Sequence, residues 1–262
     1  MSLRSFLLQP IDDLARGIEV HIANAERRTR AIVRLLVAVA FTWWLYVPVH
    51  ELLHVLGCVI TGGTVTELQI KPLYGGAVLA RVFPFVVCGG EYAGRLTGFD
   101  TKGSDLVYLA TDAAPFVISV LIGVPLLRST LRRYAPGLFG VSIVLGLAPL
   151  LNLTGDYYEM GSIMTSWVVN LVNWDSSAAA VAAIRSDDVF RVVDHLWFQA
   201  EAPGLHTTWI KMIVSVLVVV SLSVGALLAL GTYSAGAGVG KVYARVMNRS
   251  PATRSRGFAD KP

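Results

Sequence analysis

The chain has 262 residues, of which 54% are hydrophobic and only 15% charged, with a mean hydropathy of +0.60. A soluble domain carries about 25% charged residues, so this balance excludes an ordinary soluble protein and indicates an integral membrane protein. The net charge of +4 and pI near 9.2 do not indicate nucleic acid, because Lys and Arg crowd beside apolar stretches, where they orient a membrane protein.

The opening "MSLRSFLLQPIDDL" lacks a long apolar core and a small-residue cleavage site. No removable signal peptide is expected, and the first transmembrane helix should do the targeting. In "PIDDLARGIEVHIANAERRTR", Pro10 suits a first helical turn, and Ile11, Leu14, Ile18, Ile22 and Ala25 fall at helical spacing. Residues 1–30 therefore predict an amphipathic helix on the membrane surface.

Four apolar segments follow, about Ala31 to Ile60, Leu106 to Leu127, Leu138 to Leu153 and Trp209 to Leu230. Each is long enough, or nearly so in the third, to cross about 30 Å of hydrocarbon. Between the first two, "TVTELQIKPLYGGAVLARVFPF" has alternating and β-branched residues either side of a Pro-Leu-Tyr-Gly-Gly turn, predicting a hairpin. Later, "MGSIMTSWVVNLVNW" predicts a partly inserted helix and "SDDVFRVVDHLWFQ" a short amphipathic one capped by Ser186. The end, rich in Gly, Ser and Arg, reads as a flexible basic tail over 233–262. Its "GAGVGK" is not a phosphate loop, since Val242 stands where Ser or Thr should follow Lys241.

Basic residues flank the spans in three clusters: Arg27, Arg28, Arg30 and Arg34; Arg128, Arg132 and Arg133; and Lys241, Arg245 and Arg249. Four crossings put all three on one side, so both termini are expected in the cytoplasm. The expected fold is an all-α polytopic membrane protein of about four transmembrane helices with a small β-hairpin. Its core spans 31–174, and 175–232 holds an amphipathic linker and the last crossing.

The chemistry is concentrated in "WWLYVPVHELLHVLGCVI", Trp43 to Ile60. His50 and His54 are four apart and share one helical face, with Glu51 beside them, in the pattern HExxH. Two imidazoles at this spacing suit one zinc ion, and an adjacent carboxylate can act as general base toward a water. The competing reading is a set of polar residues facing a neighbouring helix. An ionisable residue inside an apolar span costs about 2–3 kcal/mol or more, which favours a role. Pro48 predicts a kink or restart just before the motif.

A third ligand must come from elsewhere. Asp156 is the first candidate, since Gly155 marks a break in helix that can bring a carboxylate to the ion, and Glu159 is the alternative. His195 and His206 lie in more polar surroundings and rank lower. Cys58 shares the histidine face but reads as a packing residue. Cys58 and Cys88 are too few for a disulfide framework.

These residues resemble the site-2 protease family of intramembrane zinc metalloproteases. "VHELLHVLGC" resembles its catalytic helix, "DAAPFVISVLIG" the small-small-Pro opening of its next core helix, and "APLLNLTGDYYEMGS" its Asn and Pro motif ending in Leu-Asp-Gly. In this sequence Gly155 and Tyr157, not Leu and Gly, flank the aspartate. The resemblance covers about Ala31 to Trp174 and implies a catalytic membrane core with a membrane-associated β element. It implies Zn2+ held by His50, His54 and Asp156, Glu51 as the catalytic base, and Asn152 as a substrate-binding or oxyanion-stabilising residue.

The expected activity is hydrolysis of peptide bonds in a membrane-embedded, single-pass protein, in a bacterial cytoplasmic membrane. Lys71 to Arg81 would clamp the unwound substrate by strand addition, and "CGGEYAGRL" would form a re-entrant water entrance. Two other readings stay open: a membrane zinc hydrolase acting on a non-protein amide or ester, and a non-catalytic membrane adaptor of the same fold.

Overall fold

The computed structural model describes residues 3–23, 25–172, 177–185, 188–198 and 208–248. Among these, four helical columns are long and apolar enough to cross a membrane: Arg28–Ile60, Asp105–Thr130, Pro136–Leu171 and Thr208–Val246. The protein is thus a multi-pass membrane protein, helical apart from one small sheet. Hydrocarbon offers backbone groups no partners, and helices satisfy them internally.

Helix α1 (Leu3–Ile18) starts earlier than expected, so Pro10 lies inside it rather than in its first turn. The face turned to the protein is Pro10, Asp13 and Gly17, continued by His21 in a wide helical turn, Glu19–Ala23. The apolar stripe is split: Ile11 and Ile18 are exposed, while Leu14 and Ile22 pack against the core around Phe139. Gly17 permits this seating because any Cβ there would strike the ring of Phe139. Asp13 is buried but paired, accepting from the Tyr233 hydroxyl at 2.9 Å with Arg128 at 3.4 Å.

Helix α2 (Arg28–Ile60) runs unbroken through Pro48, so the expected restart before the motif is absent. One missing donor is tolerated where neighbouring helices hold a long apolar helix in place. The second crossing is continuous helix over 105–130, built from α4 (Asp105–Ala113), a tight turn at Ala114–Phe116, a wide turn at Ser119–Gly123, and α5 (Val124–Thr130). The third is longer than expected. Helix α6 (Pro136–Leu151) ends at Asn152, and α7 (Asp156–Val172) begins after a turn, as the Gly155 break predicted.

The hairpin expectation is corrected. Strand β1 (Thr64–Ile70) is followed by a turn in which Gly75 takes φ 82°, and then by helix α3 (Gly76–Val82). Val78 and Val82, read as strand alternation, are instead one exposed helical face. Strand β2 (Val86–Cys88) pairs parallel to β1, and β3 (Gly94–Asp100) pairs antiparallel to it, giving the order β2-β1-β3. Lys71 to Arg81 is therefore not a strand edge. The segment expected to be a re-entrant entrance leads into β3 instead.

After α7 come α8 (Ser177–Ile184) and α9 (Val189–Trp197). Ser186 and His206 lie outside the described residues, and Asp188 caps α9 by accepting from the Phe190 amide at 2.8 Å. Helix α10 (Thr208–Asn248) does not stop near Leu230 but continues through 233–248, which composition assigned to the tail. The glycines of "GAGVGK" explain the extension. A Cβ at Gly236 would lie 2.7 Å from Val124 and one at Gly240 3.2 Å from Pro125, so their spacing of four lets α10 seat closely on α5.

The same device joins α7 to α10. A Cβ at Gly161 would strike the Ser221 carbonyl, and one at Gly225 the Tyr157 carbonyl. Helix α6 runs alongside α2, Gly140 packing against Leu35. These contacts, with His21 accepting from the Ala135 amide at 3.3 Å, bring the starts of α2 and α6 and the ends of α5 and α10 to one end of the bundle. The described members of the basic clusters, Lys241 and Arg245 of the third among them, gather there, and the sheet lies at the opposite end.

Candidate metal centre

The second half of α2 carries His50 and His54 into the bundle, where both are buried among aromatic neighbours. The His50 ring sits 5.2 Å from Tyr46 and 5.7 Å from Phe116. Its Nδ1 lies 2.9 Å from the Tyr46 hydroxyl, one helical turn earlier, which turns Nε2 inward. His54 Nδ1 donates to the Thr111 carbonyl of α4 at 2.8 Å. That bond fixes its tautomer, leaving the Nε2 lone pair facing the site.

The two Nε2 atoms approach to 3.0 Å. Asp156, first residue of α7, reaches them with Oδ2 at 3.1 Å from His50 and Oδ1 at 3.6 Å from His54. The one-turn break places it there: the Asn152 carbonyl accepts from the Gly155 and Tyr157 amides, closing the turn so that α7 starts at the carboxylate. His50, His54 and Asp156 form a buried cluster able to hold a metal ion.

The atoms present fit such an ion. Oδ2 of Asp156, 3.1 Å from His50 Nε2, has no aligned hydrogen-bond donor. A lone pair of His54 also faces the carboxylate, and converging acceptors are stabilised by a cation between them. Ligand bonds of about 2.0–2.1 Å in a tetrahedral site imply ligand–ligand separations of about 3.3 Å. The observed separations of 3.0, 3.1 and 3.6 Å bracket that value.

The cluster opens onto a cavity of about 770 Å³ whose walls come from α2, α4, α7 and β3. Glu51 lines it beside His54, and Gly94 at the start of β3 leaves room for its side chain. Asn152 also lines it, one of its two amide N–H groups donating to the Ala148 carbonyl at 3.0 Å. Glu159 is buried in the wall, where it accepts from the Tyr108 hydroxyl, and it stands outside the metal cluster. His195 is exposed on α9, away from the cluster. Cys58 is fully buried under the α2–β1 turn, its thiol 3.8 Å from the Thr64 carbonyl, and packs rather than ligates.

Several contributors were not visible in the sequence. Tyr46 stands four residues before His50, the spacing that ought to have drawn attention to it. Thr111 and Gly94 act through backbone position, which carries no residue-level signal. Asp112, fully inside the cavity wall with Oδ2 unpartnered, arrives from another helix. Arg185 bridges α8 to α4 and α7, donating twice to Asp105 at 2.7 and 2.9 Å and to the Ser166 hydroxyl at 2.7 Å.

No known protein family, curated protein or solved structure matches the chain.

Proposed function

We propose that this chain is an intramembrane zinc metallopeptidase resembling the site-2 protease family. The observation that carries the reading is the convergence of His50, His54 and Asp156, with Glu51 adjacent, on one cavity inside a multi-pass fold. When bound there, a zinc ion supplies Lewis acidity, lowering the pKa of a water toward neutrality and polarising a carbonyl.

The chain's own residues supply the rest. Glu51 accepts a proton from the attacking water as its oxygen joins the carbonyl carbon. As the C–N bond breaks, Glu51 delivers the proton to the leaving nitrogen. Tyr46 orients the His50 ring, and the Thr111 carbonyl fixes both the tautomer and the orientation of His54, so that Nε2 of each faces the site. Asn152 offers its remaining amide N–H to the substrate carbonyl.

A transmembrane substrate hides its scissile carbonyls in helical hydrogen bonds and must unwind before attack. Strand β3 supports this step. It lies at the edge of the sheet and lines the cavity, so an extended segment can add to it through main-chain bonds. The proposed substrate is a single-pass membrane protein in a bacterial cytoplasmic membrane.

The test is cleavage of single-pass reporters by the purified protein in proteoliposomes, with zinc content measured alongside. Wild type should cleave and Glu51→Gln should retain zinc without cleaving. Cleavage of lipid amides or esters but not of proteins would replace the substrate class. A phenotype unchanged by Glu51→Gln and His54→Ala, in a protein without bound metal, would leave only an adaptor role.

A further inference from the structure

A second cavity, of about 350 Å³, lies at the basic end of the bundle, between the first turns of α2 and the corner leading to α6. Arg27, Arg30 and Arg34 line it, with Tyr134 and Glu26. Their spacing of three and four puts the arginines on one side of the helix. Arg28, which points elsewhere, donates to the Ala23 carbonyl at 3.0 Å. The side chains of Arg27, Arg30 and Arg34 make no ion pair or hydrogen bond among the described residues, although Glu26 sits in the same cavity.

Three guanidiniums sharing one cavity with a single carboxylate repel one another and leave a net charge of about +2 there. An anion with several acceptor oxygens relieves this, and phosphate suits guanidinium forks. The amides at the start of a long helix favour the same charge. What sits beside the cavity selects the source of the phosphate. Val37 and Phe41, one and two turns above Arg34, continue up the same side of α2 as exposed apolar residues, at 63% and 61%. A head group held by the arginines would thus lay its acyl chains along them. The tyrosine hydroxyl at the rim, on a half-exposed Tyr134, adds a donor.

We infer that the cavity formed by Arg27, Arg30, Arg34 and Tyr134 is a binding site for the phosphate head group of an anionic phospholipid, with α2 as the surface for its chains. It lies at the bundle end opposite the sheet and does not depend on the metal chemistry. A basic pocket at the start of a span is the kind of place where such head groups are held.

The experiment is native mass spectrometry of the full chain released from detergent, titrated with phosphatidylglycerol, phosphatidylcholine or inorganic phosphate. The variants are Arg27→Gln/Arg30→Gln/Arg34→Gln and a control removing the same charge elsewhere at that end, Arg16→Gln/Lys241→Gln/Arg245→Gln. Phosphatidylglycerol should bind the wild type and the control alike. The arginine variant should bind it about a hundredfold more weakly, taking about fivefold for each near-surface guanidinium. Equal loss in both variants would mean diffuse surface charge. Equal binding of phosphatidylcholine would mean chain packing alone, and inorganic phosphate matching the lipid would mean an anion site without lipid. Any of these results overturns the proposal.

Discussion

Replacing Gly94 by alanine should disable the site without touching a metal ligand. A Cβ at this position would strike the Cγ of Glu51 and lie 3.0 Å from its Cδ and 3.2 Å from its Oε1. Carbon atoms settle at about 3.5–4.0 Å, so the carboxylate must withdraw by on the order of 1 Å. Misplacing a reacting group by that distance lowers the rate about a hundredfold, or about 2.7 kcal/mol in barrier. The nearest neighbours of the new methyl group all belong to Glu51, and the pairing of Gly94 with Ile70 accepts alanine. Zinc content should therefore stay at the wild-type level. The assay is initial-rate cleavage of a single-pass reporter in proteoliposomes, with elemental analysis of the same sample and Glu51→Gln as the floor. Wild-type turnover in Gly94→Ala would refute the placement of Glu51 as base, and loss of metal would refute the separation of base from ligands.

Tyr46→Phe removes the partner of His50 Nδ1 and should weaken zinc binding about 10- to 100-fold in a chelator competition, whereas unchanged affinity would show that packing alone orients the ring. Asp156→Ala should abolish both metal binding and cleavage while Glu159→Gln keeps its metal, and the opposite result would exchange their roles. Arg185→Ala should lower stability by about 1 kcal/mol, because its pair with Asp105 is partly exposed, and an unchanged unfolding transition in detergent would remove it as a strut. Burial holds the His21 imidazole below its usual 6.5, opposed in part by a hydrogen bond with the Thr130 backbone. The unfolded chain then takes up a proton first, so stability present above pH 6.5 is lost as pH falls below it. A His21→Gln variant with the same acid limb as wild type would contradict this.

The parts legible in the sequence were those written within one helix or at one break. His50 and His54 declare themselves by spacing, and Gly155 before Asp156 announces a turn. The apolar runs mark four crossings, but not their ends where small residues do the packing. Gly236 and Gly240 looked like linker composition but let α10 continue against α5. The hairpin pattern is ambiguous because Val78 and Val82 satisfy both a strand and a helical face over so short a segment. The strand pairing β1 depends on partners that lie beyond α3. Asp112 and Gly94 reach the cavity only through tertiary packing, which no local pattern encodes.

The turn at Asn152–Gly155 has a mechanical consequence. Helix α7 is seated backbone to backbone on α10 at Gly161 and Gly225. Asp156 is the first residue beyond the turn, while His50 and His54 ride on the neighbouring α2. The ligand set therefore joins two crossings, so any shift of α7 against α2 alters the cluster that Asp156 shares with His50 and His54.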